Sequence, residues 1–596
     1  MNKTFKVTLV TLLVGVLIAP NVVRADNPPR KILTGWIPYY RTYSSAGKTN
    51  GGLDSALSSA DLIKEVMPFW YQLDGPTKIE DLYTPANPSR PANDALNQLK
   101  LAGYSIIPTM TDGTSSRDPS TGKMKTLTLS NLIADSAGRD VVTKTITDFV
   151  VSNNFDGIDL DFENFAFIDP NTTWDTTRIR WAAFIKTLAT SLHANKKLLS
   201  MTTPVAFDPS TGKKGYYVYA WQDVASDIDR LRIMTYDYST SAPGPIGPIT
   251  WVEQAVQWAV KVMPASKVFI GLPGYGRDWV TSVNGVCPTT PINYTSSIKV
   301  GASASTFVMR DATALASANG ATPTYQAKYG ESTFSYQKTY TGNTAAGVAT
   351  QCTAARTAWY QDAQGFALRA NLVAKYRLGG LTQWTLGMED PAATEAIRTV
   401  AKSIAPDVVN ALLTASVLTI TYGDSIALNG TLLLADKSPL VGVDARTEYS
   451  QAGGWNTLQT SSTSVKGDIS SQVFIGENTK LRLTSDATWE RLAATSSELL
   501  INVARKITWR DVPIFAARNQ SFTLSGRIEP MSAVNLNLQS SSSSTSGIKT
   551  VQSDANGYFT FSITEKNPGL VRYQVNTPAG SRFVASSGDF VTVLIR

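Results

Sequence analysis

The chain reads as an α/β protein. A closed (β/α)8 barrel with a small α+β insertion between its seventh and eighth strands is followed by two all-β sandwich domains. Three observations carry this reading. Eight short apolar runs recur over the first 400 residues with helical stretches between them. The interval between the last two runs is far longer than the rest. After Ser403-Ile404-Ala405-Pro406 the helical texture gives way to short alternating runs rich in Ser and Thr. Strands alternating with helices argue for a parallel sheet, and eight with polar and aromatic residues at their carboxyl ends argue for closure. A doubly wound sheet is disfavoured because no glycine-rich dinucleotide turn follows an early strand.

Residues 1–25 have the layout of an export signal. Lys3 and Lys6 open it, Val7 to Ala19 form the apolar run, and Val23-Arg24-Ala25 supplies a small-residue cleavage site. That run is short for a bilayer span, and no later stretch of 18 apolar residues appears, so a secreted, soluble monomer without membrane insertion is expected, with room for cell-wall association. Removing Lys3, Lys6 and Arg24 lowers the net charge from +7 to +4, because no acid leaves with them. So mild a charge on so long a chain predicts no nucleic-acid surface.

The runs follow in order. They are Lys31 to Ile37, Val66 to Tyr71, Tyr104 to Thr109, the acidic stretch Phe155 to Glu163, Leu198 to Pro204, Arg232 to Asp237, Lys267 to Pro273 and Gly380 to Thr385. They place the barrel domain at 30–404. The insertion is expected at 278–350, standing beside the barrel mouth. Cys287 and Cys352 are the only cysteines. In an exported protein they are expected to pair, as a local staple holding the insertion's two ends near their exit from the barrel. Two cysteines and one histidine, His193 on a helix surface, leave no material for a zinc or iron–sulfur centre or a histidine triad, so no cofactor and no metal is expected. The chemistry falls to carboxylates, aromatic rings and backbone.

The chain is organised around Asp156-Gly157-Ile158-Asp159-Leu160-Asp161-Phe162-Glu163. Side chains of a strand switch faces at every residue, so Ile158, Leu160 and Phe162 share one face while Asp159, Asp161 and Glu163 share the other, roughly 6.6 Å apart. Like charges in file in a partly buried place push at least one pKa up, as a general acid near neutral pH requires. The same acids also fit a solvated edge strand or a divalent-metal site. Trp36, Trp70, Tyr236, Tyr275 and Trp384 fall where the fold puts its mouth, and flat rings beside carboxylates suit sugars.

At this point the sequence resembles glycoside hydrolase family 18, the chitinase-like barrels. The signature Asp-Gly-x-Asp-x-Asp-x-Glu is complete at Asp156 to Glu163. Met-x-Tyr-Asp is matched by Met234 to Asp237, and the strand-seven motif by Gly271 to Arg277, with Gly274 in place of a bulkier residue. The last-strand tryptophan is Trp384. Gly35-Trp36-Ile37-Pro38-Tyr39-Tyr40 and Trp359 to Ala363 lean toward the spore-cortex and cell-wall glucosaminidase branch, whereas Asp159 is the chitinase-like state.

The resemblance implies hydrolysis of N-acetylglucosamine-containing polysaccharide, chitin first and peptidoglycan second, by a retaining, substrate-assisted mechanism. A carbohydrate-binding protein on an inactive barrel is a further alternative. Glu163 is the implied acid, Asp161 the stabiliser of the acetamido group and Asp159 its proton-sharing partner, with Tyr236 donating to the acetamide oxygen. Asp237 and Trp384 are the implied sugar contacts, joined by Trp36, Trp70, Met234, Tyr275, Arg277 and Asp156, the last with the wrong parity for the row and better suited to bracing the strand end.

In the last third, Ser521 to Gly526 echoes Ser425 to Gly430, and Val571-Arg572-Tyr573 echoes Leu481-Arg482-Leu483, at an offset of 90 to 96 residues. That is the size of a β-sandwich. The two stretches, 411–504 and 511–596, resemble bacterial immunoglobulin-like modules. Ser540 to Ser544 is expected as a solvated loop.

Overall fold

The computed structural model describes residues 27–44, 51–289, 298–301, 304–451 and 453–596. The export signal expected over 1–25 lies outside them. The described chain falls into two compact units, divided between Ala405 and Pro406.

In the first unit eight parallel strands close on themselves. They are Leu33–Pro38, Ile63–Leu73, Thr109–Asp112, Gly157–Asp161, Leu198–Thr203, Arg230–Ile233, Val268–Pro273 and Gly380–Trp384. Each pairs with the next, and the ring shuts where the first strand meets both the second (Gly35 opposite Val66) and the eighth (Leu33 opposite Leu381). The helices between them form by ordinary rules. Ser136–Ser152 is capped by Asp135, whose carboxylate accepts from Gly138 N at 2.8 Å, and it buries Val142, Ile146 and Val150 at four-residue spacing. Pro391–Ser403 starts with Pro at its first position behind the Asp390 cap.

Alternation sorts the strands into two linings. Ile158, Leu160, Leu199, Met201, Leu231 and Ile233 are fully buried at the positions that face the helical shell. Thr34, Glu65, Thr109, Asp159, Ser200, Thr202, Arg232 and Thr382 are equally buried at the alternate positions. This barrel interior is therefore polar where most are filled by branched apolar side chains. Each of those polar groups needs a partner inside the barrel.

The insertion is a five-stranded antiparallel sheet with a helix, Ala312–Ala318, at its side. Its long strands, Tyr275–Gly285, Glu331–Asn343 and Ala349–Tyr360, run out from the barrel, so the sheet is wider than 278–350 at both ends. Cys287 and Cys352 are bonded. Their position corrects the sequence reading. Gly276 pairs with Tyr360 at the barrel end of the sheet, whereas Gly285 pairs with Cys352. With about 3.3 Å per residue, the staple sits roughly 30 Å from the exit. The long strands carry it there.

The second unit holds four sheets around two apolar cores. The repeated segments occupy equivalent strands. Ser425–Leu434 pairs antiparallel with Asp468–Phe474, and Ser521–Glu529 pairs antiparallel with Tyr558–Thr564. The first strands of the two halves begin at Val409 and Lys506, earlier than the sequence echoes indicated. Ser540 to Ser544 is no simple solvated loop. Ser542 and Ser544, joined by Thr545 and the Tyr573 hydroxyl, donate to the fully buried Glu565 carboxylate. Four hydroxyls replace the water that this anion lost.

The disulfide closes a loop of sequence separation 65. A loop of that size is worth about 4 kcal/mol in the chain-entropy model. The Cys287→Ser/Cys352→Ser variant should therefore lose hydrogen-exchange protection in the outer halves of Tyr275–Gly285 and Ala349–Tyr360, with the eight barrel strands unchanged. Equal protection in both proteins would show that the bond does not hold the sheet.

Candidate active site

The fourth strand is fixed by close contact on both sides. Thr109 lies opposite Asp159 on the third strand, and Ser200 lies opposite Asp159 on the fifth. Gly157 is needed for the approach, because a Cβ there would stand 2.4 Å from the Leu198 carbonyl oxygen. The ladder ends at Asp161. Phe162 then buries its ring against Trp181, and its carbonyl accepts from the Tyr219 hydroxyl at 2.8 Å. This anchor turns the chain, so Glu163 is not a strand residue but the position before the short helix Asn164–Phe167. The file of three acids is really two acids on a strand and a third on the turn above them.

Each acid has its own surroundings. Asp159 is wholly buried and saturated with donors: Trp36 Nε1 at 3.3 Å, Thr109 Oγ1 at 2.8 Å, Ser200 Oγ at 2.5 Å and Thr202 Oγ1 at 3.0 Å to both oxygens. Arg232 Nε stands 3.7 Å away. The sequence stretch has no basic residue of its own, and the cation comes from the sixth strand instead. Asp161 is half-buried, with Oδ1 buried and unpartnered. Burial raises its pKa well above the usual carboxyl range, and the charges of Glu163 and Asp159 add to the effect. Burial also lifts Glu163, to about 7, with Asp237 contributing.

Glu163, Tyr236, Asp237 and Met234 line one cavity of about 410 Å³, walled further by Phe167, Tyr216 and Trp251. Met234 to Asp237 lie beyond the end of the sixth strand at Ile233, and Asp237 adopts φ +60°. The Asp237 carboxylate accepts from the Tyr275 hydroxyl at 2.5 Å and from Arg277 Nη2 at 2.6 Å. Tyr275 and Arg277 thus hold Asp237 in place. Burial keeps the Tyr236 phenol far above its ordinary pKa, with Tyr275, Asp161, Asp237 and Glu163 adding to the effect, so it stands as a hydrogen-bond donor beside the acids.

Trp384 is half-buried, edge-on to Trp36 at 5.8 Å and to Phe69 at 5.0 Å between ring centres. Three assignments change here. Trp70 is fully buried and packs at a tilt on Tyr83 with ring centres 4.2 Å apart, whereas its neighbour Phe69 meets Trp384 because strand parity puts adjacent residues on opposite faces. Trp36 is also buried and serves as a donor to Asp159, not as an open sugar platform. Asp156 sits at the amino end of the strand, where Oδ2 accepts from Ile106 N at 2.8 Å. It braces the sheet and is remote in chain direction from the acids' end. His193 is exposed on its helix, as expected, with Nε2 2.9 Å from Asp229 Oδ2.

Two buried acids near the mouth have no sequence pattern to announce them. Glu331, from the inserted sheet, accepts from Ile246 N at 2.6 Å, Gly247 N at 2.7 Å and Arg369 Nη2 at 3.2 Å, and so pins the loop after the sixth strand. Glu389 accepts from Ser55, from Gln383 Nε2 at 2.5 Å and from Gly387 N at 2.7 Å, fixing the turn that follows Trp384. Gly274, which follows the seventh strand, packs against the same turn, its N–H donating to the Trp384 carbonyl at 2.7 Å. A Cβ there would come within 2.8 Å of Met388 Cβ, which accounts for glycine in place of a bulky residue. Among the described residues no group of three or more His, Cys, Asp and Glu side chains could hold a metal ion.

A half-buried acid poised near neutrality, a second acid behind it and a phenol donor beside both define a carboxylate glycosidase type of site. Residues 121–389 match the family described as glycosyl hydrolases family 18. Similar proteins include the uncharacterized glycosylase YvbX of Bacillus subtilis, 22% identical over 45% of this chain and 68% of that one. A probable endochitinase of Caenorhabditis elegans is 26% identical over 44% of this chain and 41% of that one. The cortical fragment-lytic enzyme of Bacillus subtilis is 25% identical over 32% and 40%. The chain thus spans between 41% and 68% of the length of the first three curated relatives it matches. Among solved structures, a chitinase from Chromobacterium violaceum shares 24% identity at a TM-score of 0.47, over 62% of this chain and 98% of that one.

The Glu331–Arg369 pair offers a direct check on how the mouth is held. Both side chains are fully buried. Glu331→Gln should cost about 3 kcal/mol by leaving the guanidinium without its counter-charge, while Glu331→Gln/Arg369→Met should recover most of that loss. Denaturant melts of the two variants measure it, and equal stability of the single variant and the parent would refute it.

Proposed function

We propose that the protein is a secreted hydrolase of β-1,4-linked N-acetylglucosamine polymers, with chitin and its oligosaccharides as first substrate. The observation that carries the reading is Glu163, held near pH 7 at the wall of a cavity that it shares with Tyr236 and Asp237. An acid with that pKa keeps its proton up to neutrality and can give it to a departing glycosidic oxygen. Asp161, immediately behind, supplies negative charge where an acetamido group, attacking its own anomeric carbon, becomes positive. The Tyr236 hydroxyl points its proton at the acetamide oxygen, Asp237 binds the sugar at the cleavage position and Trp384 floors it. Phe167, which is 54% exposed, and Tyr216 lie 5.2 Å apart on the Glu163 side of the cavity and would carry the leaving sugar. Asp159 takes a different part from the implied one: its acceptor positions are filled by Trp36, Thr109, Ser200 and Thr202, so it supports Asp161 by charge and not by a shared hydrogen bond.

A second reading, cleavage of peptidoglycan, is favoured by the cortical fragment-lytic enzymes among the similar proteins. Product analysis on a soluble N-acetylglucosamine hexamer and on purified cell wall separates the two, since each predicts release from one substrate only.

Glu163→Gln preserves shape and removes the proton, so kcat should fall by about 10²–10⁴ with little change in KM. Full turnover by this variant would end the assignment. The sign of the pH dependence follows from the raised pKa. Glu163 is protonated below about 7 and ionised above it, so kcat/KM should decline as pH rises through that value. A profile flat from pH 6 to pH 8 would contradict it.

A further inference from the structure

Beneath the acids lies a buried charge network that the hydrolytic steps above leave unused. Arg232 projects into the barrel from the sixth strand and is wholly inaccessible to solvent. Each of its three nitrogens donates to a different strand. Nη2 donates to Glu65 Oε2 at 2.7 Å, Nη1 to Thr34 Oγ1 at 2.9 Å and Nε to Ser200 Oγ at 3.0 Å. Ser200 Oγ in turn donates to Asp159 Oδ1 at 2.5 Å, and Arg232 Nε lies 3.7 Å from that same oxygen. One planar cation thus ties strands one, two, five and six to the acid on strand four.

An ion pair this deep is a poor way to stabilise a fold. The desolvation of both partners offsets most of their attraction, and apolar residues of similar volume commonly serve as well or better. The surroundings of Arg232 are instead arranged around direction. Glu65 anchors it from below, Phe269 covers its face at 4.8 Å, and its remaining N–H edge is turned to the Ser200–Asp159 pair. Arg was needed here because a Lys ammonium cannot present donors in a fixed plane to three acceptors.

We propose that Arg232, oriented by Glu65, is a positioning residue for the hydrolase reaction: it locks Asp159 as an acceptor and thereby sets the charge beneath Asp161 and Glu163. This rests on the hydrolase reading given above. The titratable and charged groups facing Asp159 are Arg232 from the sixth strand and Asp161 from its own. From the first, third and fifth strands it meets only the neutral donors Trp36, Thr109, Ser200 and Thr202. Behind Arg232 stand Glu65 and, beyond it, Arg230 and Lys64. Burial alone would raise the Glu65 carboxyl, but Arg232 and Arg230 outweigh it and hold it at about 2, which is consistent with a permanent anion anchoring a permanent cation.

The test replaces the pair together, because Arg232→Met alone leaves the buried Glu65 Oε2 without a partner, Arg230 holding only Oε1. In Arg232→Met/Glu65→Leu the expected results are a retained melting transition, an unchanged KM for the N-acetylglucosamine hexamer and a kcat lowered about 10- to 100-fold. Without the cation the acids bind protons more tightly, so the pH–rate profile should move up by about half a unit or more. Arg232→Lys, which restores the charge without the fork, should return the profile toward the parent while recovering only part of kcat. Parent-like kcat and profile in the double variant would overturn the proposal. So would a loss of kcat that merely tracks melting temperature in both variants with the profile unmoved. Failure of the parent itself to cleave hexamer or cell wall would overturn the hydrolase reading instead, and that outcome is distinct.

Discussion

Three carboxyl groups within five residues of chain can work together only if each meets a different solvent, and the depth of each along the strand, which ends at Asp161, provides this. Asp159 is swallowed by the barrel and satisfied by four neutral donors and a nearby cation. Asp161, one step toward the mouth, is desolvated without donors for one of its oxygens. Glu163, past the end of the strand, meets the cavity. Identical chemistry on one short segment is thereby sorted into an anchor, a charge and an acid. Desolvation, the largest cause of the upward shift for both Asp161 and Glu163, rises or falls with the position of the segment's end.

The rest of the unit secures that end. Phe162 and the Tyr219 hydroxyl stop the strand, and Trp384 is set from the far side of the barrel by Trp36, Phe69 and the Glu389 turn. The inserted sheet contributes directly through Glu331, whose carboxylate holds two backbone amides of the loop after the sixth strand. The insertion is thus part of the mouth's construction. A polar barrel interior is the cost of placing acids there, and it requires the hydroxyls of Thr34, Thr109, Ser200 and Thr202 as partners.

Much of this was legible in the residues. The eight strands were visible because apolar runs between helical stretches repeat whatever the tertiary detail. The inward placement of Asp159 and Asp161 followed from a period of two. Ring positions were harder. Trp70 and Phe69 are adjacent, and only the registration of the second strand decides which of them faces Trp384. Glu331, Glu389 and Glu565 are single acids in unremarkable surroundings. Glu331 and Glu389 each take at least one partner from 30 or more residues away, and Glu565 is met by hydroxyls that resemble loop filler.

By itself the sequence determined the order of the elements, the parity of the acidic strand and the disulfide partners, since these depend on local pattern or on there being no other choice. The tertiary structure decided where the strand stops, which aromatic ring faces the mouth, how far the disulfide lies from the barrel and that Arg232 stands under Asp159. Each of those depends on which distant residue occupies a given few cubic ångströms, and a one-dimensional pattern carries no term for that.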